Sequence, residues 1–506
     1  MSLKNYFLLG LFILSCLVFG VDKNQQKVSA QQSAVAVVEP FMIKDINPGG
    51  DSNPWQFTEM DGKIYFTAST EENGEELWVT DGTEAGTYMV KDINPYGSNG
   101  SEFDSEPLFM TVYKNELYFR ATNTLTGTEL WKSDGTEAGT VLVKNIYLED
   151  GMGAAESSDP YGFVEFNGEL FFVAKDSTTD TANGLWKTDG TEAGTVRVGN
   201  VFVHNYGYSS PVIFGNAMYF NGSLDKFNDK ELWKSDGTAS GTVLVKDINP
   251  DFFGPTPSSS DPKFLTVVND TLFFVASGSI GNEELWKSDG TEVGTVLVKD
   301  IRSGADPSFP DRLVNMNGIL YFRASDSMEN SYELWRSDGT EAGTYMVKDI
   351  NPQTNYAGFP APILPGGYFK LPVMNSELYF YGAELTNGNE LWKSDGTEVG
   401  TVLVKDIFPG LDSSNPLWFV TGGATLYFTA DDGVNGIELW QSDGTNAGTV
   451  MVKDIAPGND SSNPQWLGVV GNWLFFSAND GVHGRELWTM LLAELDESMY
   501  LPTVLR

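Results

Sequence analysis

The pattern Leu-Trp-x-x-Asp-Gly-Thr-x-x-Gly-Thr occurs eight times in this chain, first from Leu77 to Thr87 and last from Leu439 to Thr449. Copies recur about every fifty residues, a period that belongs to one supersecondary unit repeated in tandem. A side chain present in every copy serves the folding of the copy first. The unit therefore fixes the fold, and function has to be sought where the copies differ.

One unit reads as four strands. Trp55 to Met60 is followed by the hairpin signal Asp61-Gly62, and Lys63 to Ser69 carries the aromatic pair Tyr65-Phe66. Glu75 to Thr80 and Thr87 to Ile93 follow, joined by the turn from Asp81 to Gly86. Aspartate bonds its own turn backbone and glycine supplies positive φ, so this turn needs no ligand. Four short antiparallel strands per unit, repeated radially, predict an all-β chain folded as a single β-propeller. Third strands carry nine Leu-Trp pairs, from Trp78 to Trp488, and fourth strands also number nine. The phase is shifted, however: residues 41–46 precede any complete unit, and no Asp-Gly-Thr turn follows Trp488. Both oddities vanish in nine four-stranded blades, with 41–46 completing the last one and leaving no open edge. Two smaller rings would need a second phase break, and the middle of the chain has none. The layout is then 1–30 a signal peptide, 31–40 a leader, 41–490 the propeller and 491–506 a tail.

The repeat, as in Glu-Leu-Trp-Lys-Ser-Asp-Gly-Thr-Glu-Ala-Gly-Thr at 129–140, resembles that of secreted bacterial proteins named for Glu-Leu-Trp-x-x-Asp-Gly-Thr repeats, often labelled hyalin-like. The resemblance spans nearly all of the chain after residue 40. It implies an extracellular or surface protein and brings no catalytic residues with it.

Net charge is −38, with only 31 basic residues in 506. Such a chain repels phosphate backbones and anionic membranes, which argues against nucleic-acid partners. Lys4, the apolar run Tyr6 to Val21 and the small-residue site Val28-Ser29-Ala30 read as a secretory signal. The single cysteine, Cys16, lies inside that run, so cleavage would leave no thiol. A lipoprotein reading of Ile13 to Cys16 competes, but Leu17-Val18-Phe19 continues the apolar run where a polar linker is expected. No membrane-spanning segment is expected after signal removal, and the mature chain is expected to be a monomer.

Placing Thr80 opposite Thr87 sets Glu76 opposite Lys91, a cross-strand ion pair worth roughly 0.2–1 kcal/mol. In the third copy both positions are glycine, Gly184 and Gly199, as a lost pair would be. Glu76, Lys91, Asp81 and Trp78 are accordingly read as structural. Three near-identical connections bring Asp51, Asp412 and Asp460 to consecutive blades, and Asp431-Asp432-Gly433 and Asn479-Asp480-Gly481 lie on the same face. Oxygen ligands alone suit a hard cation such as Ca²⁺, although the same residues are what turns use. Aromatic residues that break the repeat, His204, Tyr206, Tyr208, Tyr356 and Phe359, are the candidates for contact with a glycan or protein ligand. With only His204 and His483 in the chain, a nucleophile–histidine arrangement has few bases to draw on. The sequence reading is a secreted, non-catalytic binding or structural module of adhesion type. The alternative is a propeller hydrolase or lyase acting on an extracellular polymer, with a bound divalent cation.

Overall fold

Each unit folds into a four-stranded antiparallel sheet. In the first, Trp55–Met60, Lys63–Thr70, Gly74–Thr80 and Tyr88–Lys91 pair in sequence order. The computed structural model describes residues 39–95, 104–147, 156–176, 183–204, 211–224, 228–254, 256–279, 281–327, 332–350 and 371–492. Among these residues the regular structure is all strand, with seven four-stranded sheets, one eight-stranded sheet and a two-stranded hairpin. No helix among them is long and apolar enough to cross a membrane. The architecture is β-propeller-like.

Aromatic residues of the second and third strands face the neighbouring sheet. Tyr65, Leu77, Val79 and Val90 of the first sheet pack on Leu117, Phe119 and Trp131 of the second. The same arrangement recurs between successive sheets, each Leu-Trp tryptophan lying against the sheet before its own. It also joins the last sheet to the first, where Phe475 and Leu487 meet Ile64, Phe66 and Trp78. Each buried tryptophan takes roughly 150–250 Å² from water, so the apolar stabilisation lies between sheets. The strand Phe41–Lys44 pairs antiparallel with Arg485–Leu491, Met42 opposite Trp488, and forms the fourth strand of the sheet holding Gln465–Val470 and Trp473–Asn479.

Two sequence expectations are corrected here. The register inferred from Thr80 and Thr87 holds through Trp78 opposite Met89, then slips by one, so Lys91 lies opposite Leu77 and not Glu76. A bulge at Val90 causes the slip. The fourth strand also ends at Lys91, because the next backbone N–H groups turn away from the ladder toward the Glu76 carboxylate. Glu76 and Lys91 are therefore not a salt-bridged pair.

The third and fourth units are joined. Val196–Val203 runs on past the length of other fourth strands and pairs with Ala217–Ser223, Phe202 opposite Ser223 and Val203 opposite Gly222. Their strands thereby form the eight-stranded sheet.

Candidate functional site

The repeated charges link one sheet to the next. Glu76, fully buried, accepts from Ile93 N at 3.0 Å, from Asn94 N at 3.3 Å and from Ser105 Oγ at 2.6 Å. Its two oxygens thus hold the end of one sheet and the loop entering the next. Glu129 binds Ile146 N and Ser158 Oγ in the same way, Glu390 binds Ile407 N and Ser414 Oγ, and Glu438 binds Ile455 N and Ser462 Oγ. Burial pushes Glu76 up to about 8 and Glu129 up to about 7, against the lowering effect of these donors.

The repeated lysines are a second link. Lys91 Nζ donates to Thr140 O of the following unit at 2.8 Å, and Lys144, Lys246, Lys299, Lys348 and Lys405 do the same to Thr195, Thr295, Thr344, Thr401 and Thr449. Lys44 of the N-terminal strand reaches Thr87 O of the first unit at 2.7 Å.

At the third junction both links are replaced. The space that a side chain at Gly184 would need is filled by Arg197, whose Nε lies 2.6 Å from where a Cβ would be. Arg197 Nη1 pairs with Asp176 Oδ2 at 3.1 Å. Main-chain pairing to the fourth unit takes over from the missing glutamate and lysine. Gly184 and Gly199 co-occur because this junction uses a different linkage, and not because an ion pair was lost.

The Asp-Gly-Thr turn closes on itself. Asp81 Oδ1 accepts from Thr83 N at 2.9 Å and Thr83 Oγ1 at 2.6 Å, Thr83 Oγ1 accepts from Gly86 N, and the Thr80 and Thr87 hydroxyls lie 2.7 Å apart. A Cβ at Gly86 would lie 2.0 Å from Asp81 Oδ1, so only glycine fits. Trp78 is 7% exposed and packed between the first and last sheets.

Chemistry that differs from copy to copy gathers where first strands begin and second strands end. Opposite the leucine of successive Leu-Trp pairs stand Thr67, Arg120, Val173, Asn221, Val275, Arg323, Tyr381, Thr429 and Ser477. Nearby, Trp55 Nε1 donates to Glu75 Oε1 at 3.2 Å, Lys263 Nζ pairs with Glu283 Oε1 at 2.7 Å, and Trp466 lies between Trp55 and Trp418 with ring centroids 5.0 and 4.8 Å away. The sixth unit is the most charged of these places. Arg323 forms a two-bond pair with Asp311, Nε to Oδ1 at 2.8 Å and Nη2 to Oδ2 at 2.5 Å, and lies 4.4 Å from the Tyr332 ring. Burial lowers the neighbouring Arg312 guanidinium below its ordinary pKa and pushes Tyr381 of the next unit up to about 12.

The sequence candidates fall as follows. His204 stands at the third junction: its N donates to Asn221 O at 2.9 Å and its Nε2 lies 2.8 Å from Ser223 Oγ. Tyr206, Tyr208, Tyr356 and Phe359 lie outside the described residues. Asp51, Asp412 and Asp460 are all exposed, and Asp51 Oδ1 accepts from Arg485 N at 2.7 Å, at the start of the last sheet's third strand. Among the described residues one group has carboxylate oxygens converging within 4.8 Å, Asp229, Glu231 and Asp247, and none of the three loop aspartates belongs to it. Glu231 there already accepts from Ile248 N, Ser260 N and Ser260 Oγ, as its counterparts elsewhere do. His483 Nδ1 lies 2.7 Å from Asp480 Oδ2 within its own loop.

Comparison with known proteins places the chain loosely. No protein-family model matches it, and no curated protein matches it. Among solved structures it is similar to a puromycin hydrolase at 13% identity and TM-score 0.35, covering 74% of this chain and 59% of that one. A structure from a study of two prolyl endopeptidases shares 10% identity at TM-score 0.38, over 75% of this chain and 54% of that one. A Mycobacterium tuberculosis puromycin-hydrolysing peptidase shares 11% identity at TM-score 0.36, over 78% and 61%. The chain thus spans less than two thirds of each of these structures.

Proposed function

We propose that this chain is a nine-bladed β-propeller, closed by its N-terminal strand, that is exported and works outside the cell as a non-catalytic binding or structural module. Counting the eight-stranded sheet as two blades gives nine with the seven four-stranded sheets. Support for closure is the pairing of Phe41–Lys44 with Arg485–Leu491 and the packing of the last sheet on the first. Export follows from the signal-like segment ending at Ala30 and from the resemblance of the repeat to secreted Glu-Leu-Trp-x-x-Asp-Gly-Thr proteins.

One observation carries the functional part. The charges common to the copies are used between and within units, whereas unlike chemistry gathers at one end of the first and second strands. A rigid frame with a variable rim is the arrangement of a recognition protein, with an extracellular glycan or protein as the ligand class.

The second reading is an extracellular hydrolase or lyase on the same frame, with or without a divalent cation. Puromycin hydrolysis and prolyl endopeptidase action are the activities of the similar structures themselves. A glycan array run beside a polysaccharide and peptide hydrolysis screen separates the two. Retention of a ligand without turnover supports the module. Turnover abolished by one carboxylate substitution overturns it.

A further inference from the structure

In the sixth unit, Asp311 begins the first strand and stands directly opposite Arg323 of the second. Two hydrogen bonds join them, and their opposite charges offset one another. The following residue, Arg312, has no such partner: its Nε is fully buried without an acceptor, and its guanidinium makes no hydrogen bond or ion pair among the described residues. The groups that act on it electrostatically are Asp311, Arg323 and Tyr381, and they leave one positive charge uncompensated. Arg312 is itself partly exposed.

Arg120 and Arg336 also have a buried Nε without an acceptor, but their guanidinium groups lie over aromatic rings, whereas Arg312 has no such ring contact among the described residues. Of the sixty-nine acidic residues, the one that acts on it is Asp311, which is already paired with Arg323. Burying an unpaired guanidinium is unfavourable, and an incoming anion would relieve that penalty. The backbone at Arg312 does not explain the choice of residue. Its φ of 55° is shared by Gln56 at 58°, Phe109 at 60°, Phe264 at 58°, Trp418 at 56° and Trp466 at 57°, so the bulge is part of the frame and arginine is particular to this copy.

We propose that Arg312 is an anion-recognition residue whose guanidinium fork binds the carboxylate of a ligand seated beside Arg323 and Tyr381. The fork matches a carboxylate with two parallel N–H···O bonds. Tyr381 is kept protonated by burial and serves as a neutral neighbour. The surrounding negative field works against multiply charged anions, which favours a ligand bearing one charge at this point. Sugar acids and peptide C-termini both offer that group. The site would serve a binding module or a hydrolase alike, so it rests on the proposed function only for its setting.

Calorimetric titration of the full chain tests this with two matched pairs of probes: D-glucuronate against D-glucose, and N-acetylglycine against its amide. At least one acid should bind about tenfold or more tightly than its neutral counterpart. The preferred pair identifies the source of the carboxylate. Arg312→Gln should abolish the preference, Arg312→Lys should keep part of it, and Arg336→Gln, which removes the same charge elsewhere, should keep all of it. Arg312→Gln should also melt no lower than the parent, because the arginine satisfies no partner in the free protein. Equal binding of acids and neutral probes, no binding of any probe, or unchanged preference in Arg312→Gln would overturn the site. So would unfolding of both Arg312 variants, which would make the residue a packing group. Polymer turnover would contradict the module reading and leave the carboxylate site standing.

Discussion

Ser52 Oγ donates to the carboxylate of Glu486 at 2.6 Å, although 434 residues separate them in sequence. Glu486 also accepts from Ile46 N at 2.9 Å, so one buried carboxylate holds the N-terminal strand and the loop entering the first sheet. The geometry equals that of Ser105 and Glu76 within an uninterrupted stretch of chain, also 2.6 Å.

Ser52→Ala and Ser105→Ala should therefore destabilise the protein alike. Each removes a hydrogen bond to a charged or partly charged group, worth about 1.5–3 kcal/mol. Urea unfolding measures both. A normal loss for Ser105→Ala with none for Ser52→Ala would mean that the contact across the chain ends is absent in solution.

The strands and turns were legible because leucine, tryptophan and the Asp-Gly-Thr turn act locally. Asp81, Thr83 and Gly86 satisfy one another within six residues, and such chemistry survives in any context. The role of Glu76 was not legible, because its partners are two backbone N–H groups beyond a bulge and a serine in the next unit. A signal did exist: Ser52, Ser105, Ser158, Ser260, Ser308, Ser414 and Ser462 each stand two residues before a proline, one per connection. The Arg312 site left a subtler trace. Arg323 and Tyr381 occupy a strand position that holds threonine, valine, asparagine, serine or, in the second copy, Arg120, and only register alignment reveals it.

Glu76 and Lys91 should behave as independent residues. In a double-mutant cycle with Glu76→Gln and Lys91→Met, the coupling should stay below about 0.5 kcal/mol, the limit for groups without a shared partner. Each single change should still be destabilising, through Ser105 and Thr140 respectively. A larger favourable coupling would restore the cross-strand ion pair.

Gly184→Ala should destabilise by about 1–3 kcal/mol, the range for inserting atoms into a filled space. The new Cβ would meet Arg197 at Nε, 2.6 Å away, and disturb its pair with Asp176. Thermal or urea unfolding checks this. A neutral result would show that Arg197 does not occupy the vacant glutamate position.

Stability should fall as pH rises through neutrality. Burial pushes Glu76 up from 4.5 to about 8 and Glu129, Glu231, Glu284 and Glu486 up to about 7. Between pH 4.5 and these values the native state holds protons that the unfolded state has released, so the stabilisation is full below 4.5 and lost through about 7 to 8. The turn aspartates act oppositely. Hydrogen bonds from Thr136 and Thr191 lower Asp134 and Asp189, whose contribution is lost as acid protonates them. The thermal midpoint should therefore peak under mildly acidic conditions, fall through neutrality and level off once these groups have ionised above about pH 8. A midpoint that climbs from about pH 6 to about pH 9 would mean that the hydrogen bonds to these carboxylates outweigh their burial.

Closure of the propeller through its N-terminal strand is tested most directly by removing residues 41–46 and comparing thermal unfolding and solution mass with those of the intact chain. Loss of this strand takes Lys44 from Thr87, Ile46 from Glu486 and the pairing partner from Arg485–Leu491. The exposed edge would then be free to pair with other chains. The predicted result is a large drop in midpoint together with association into dimers or aggregates. A monomer that melts at the temperature of the intact chain would contradict closure, and with it the count of nine blades.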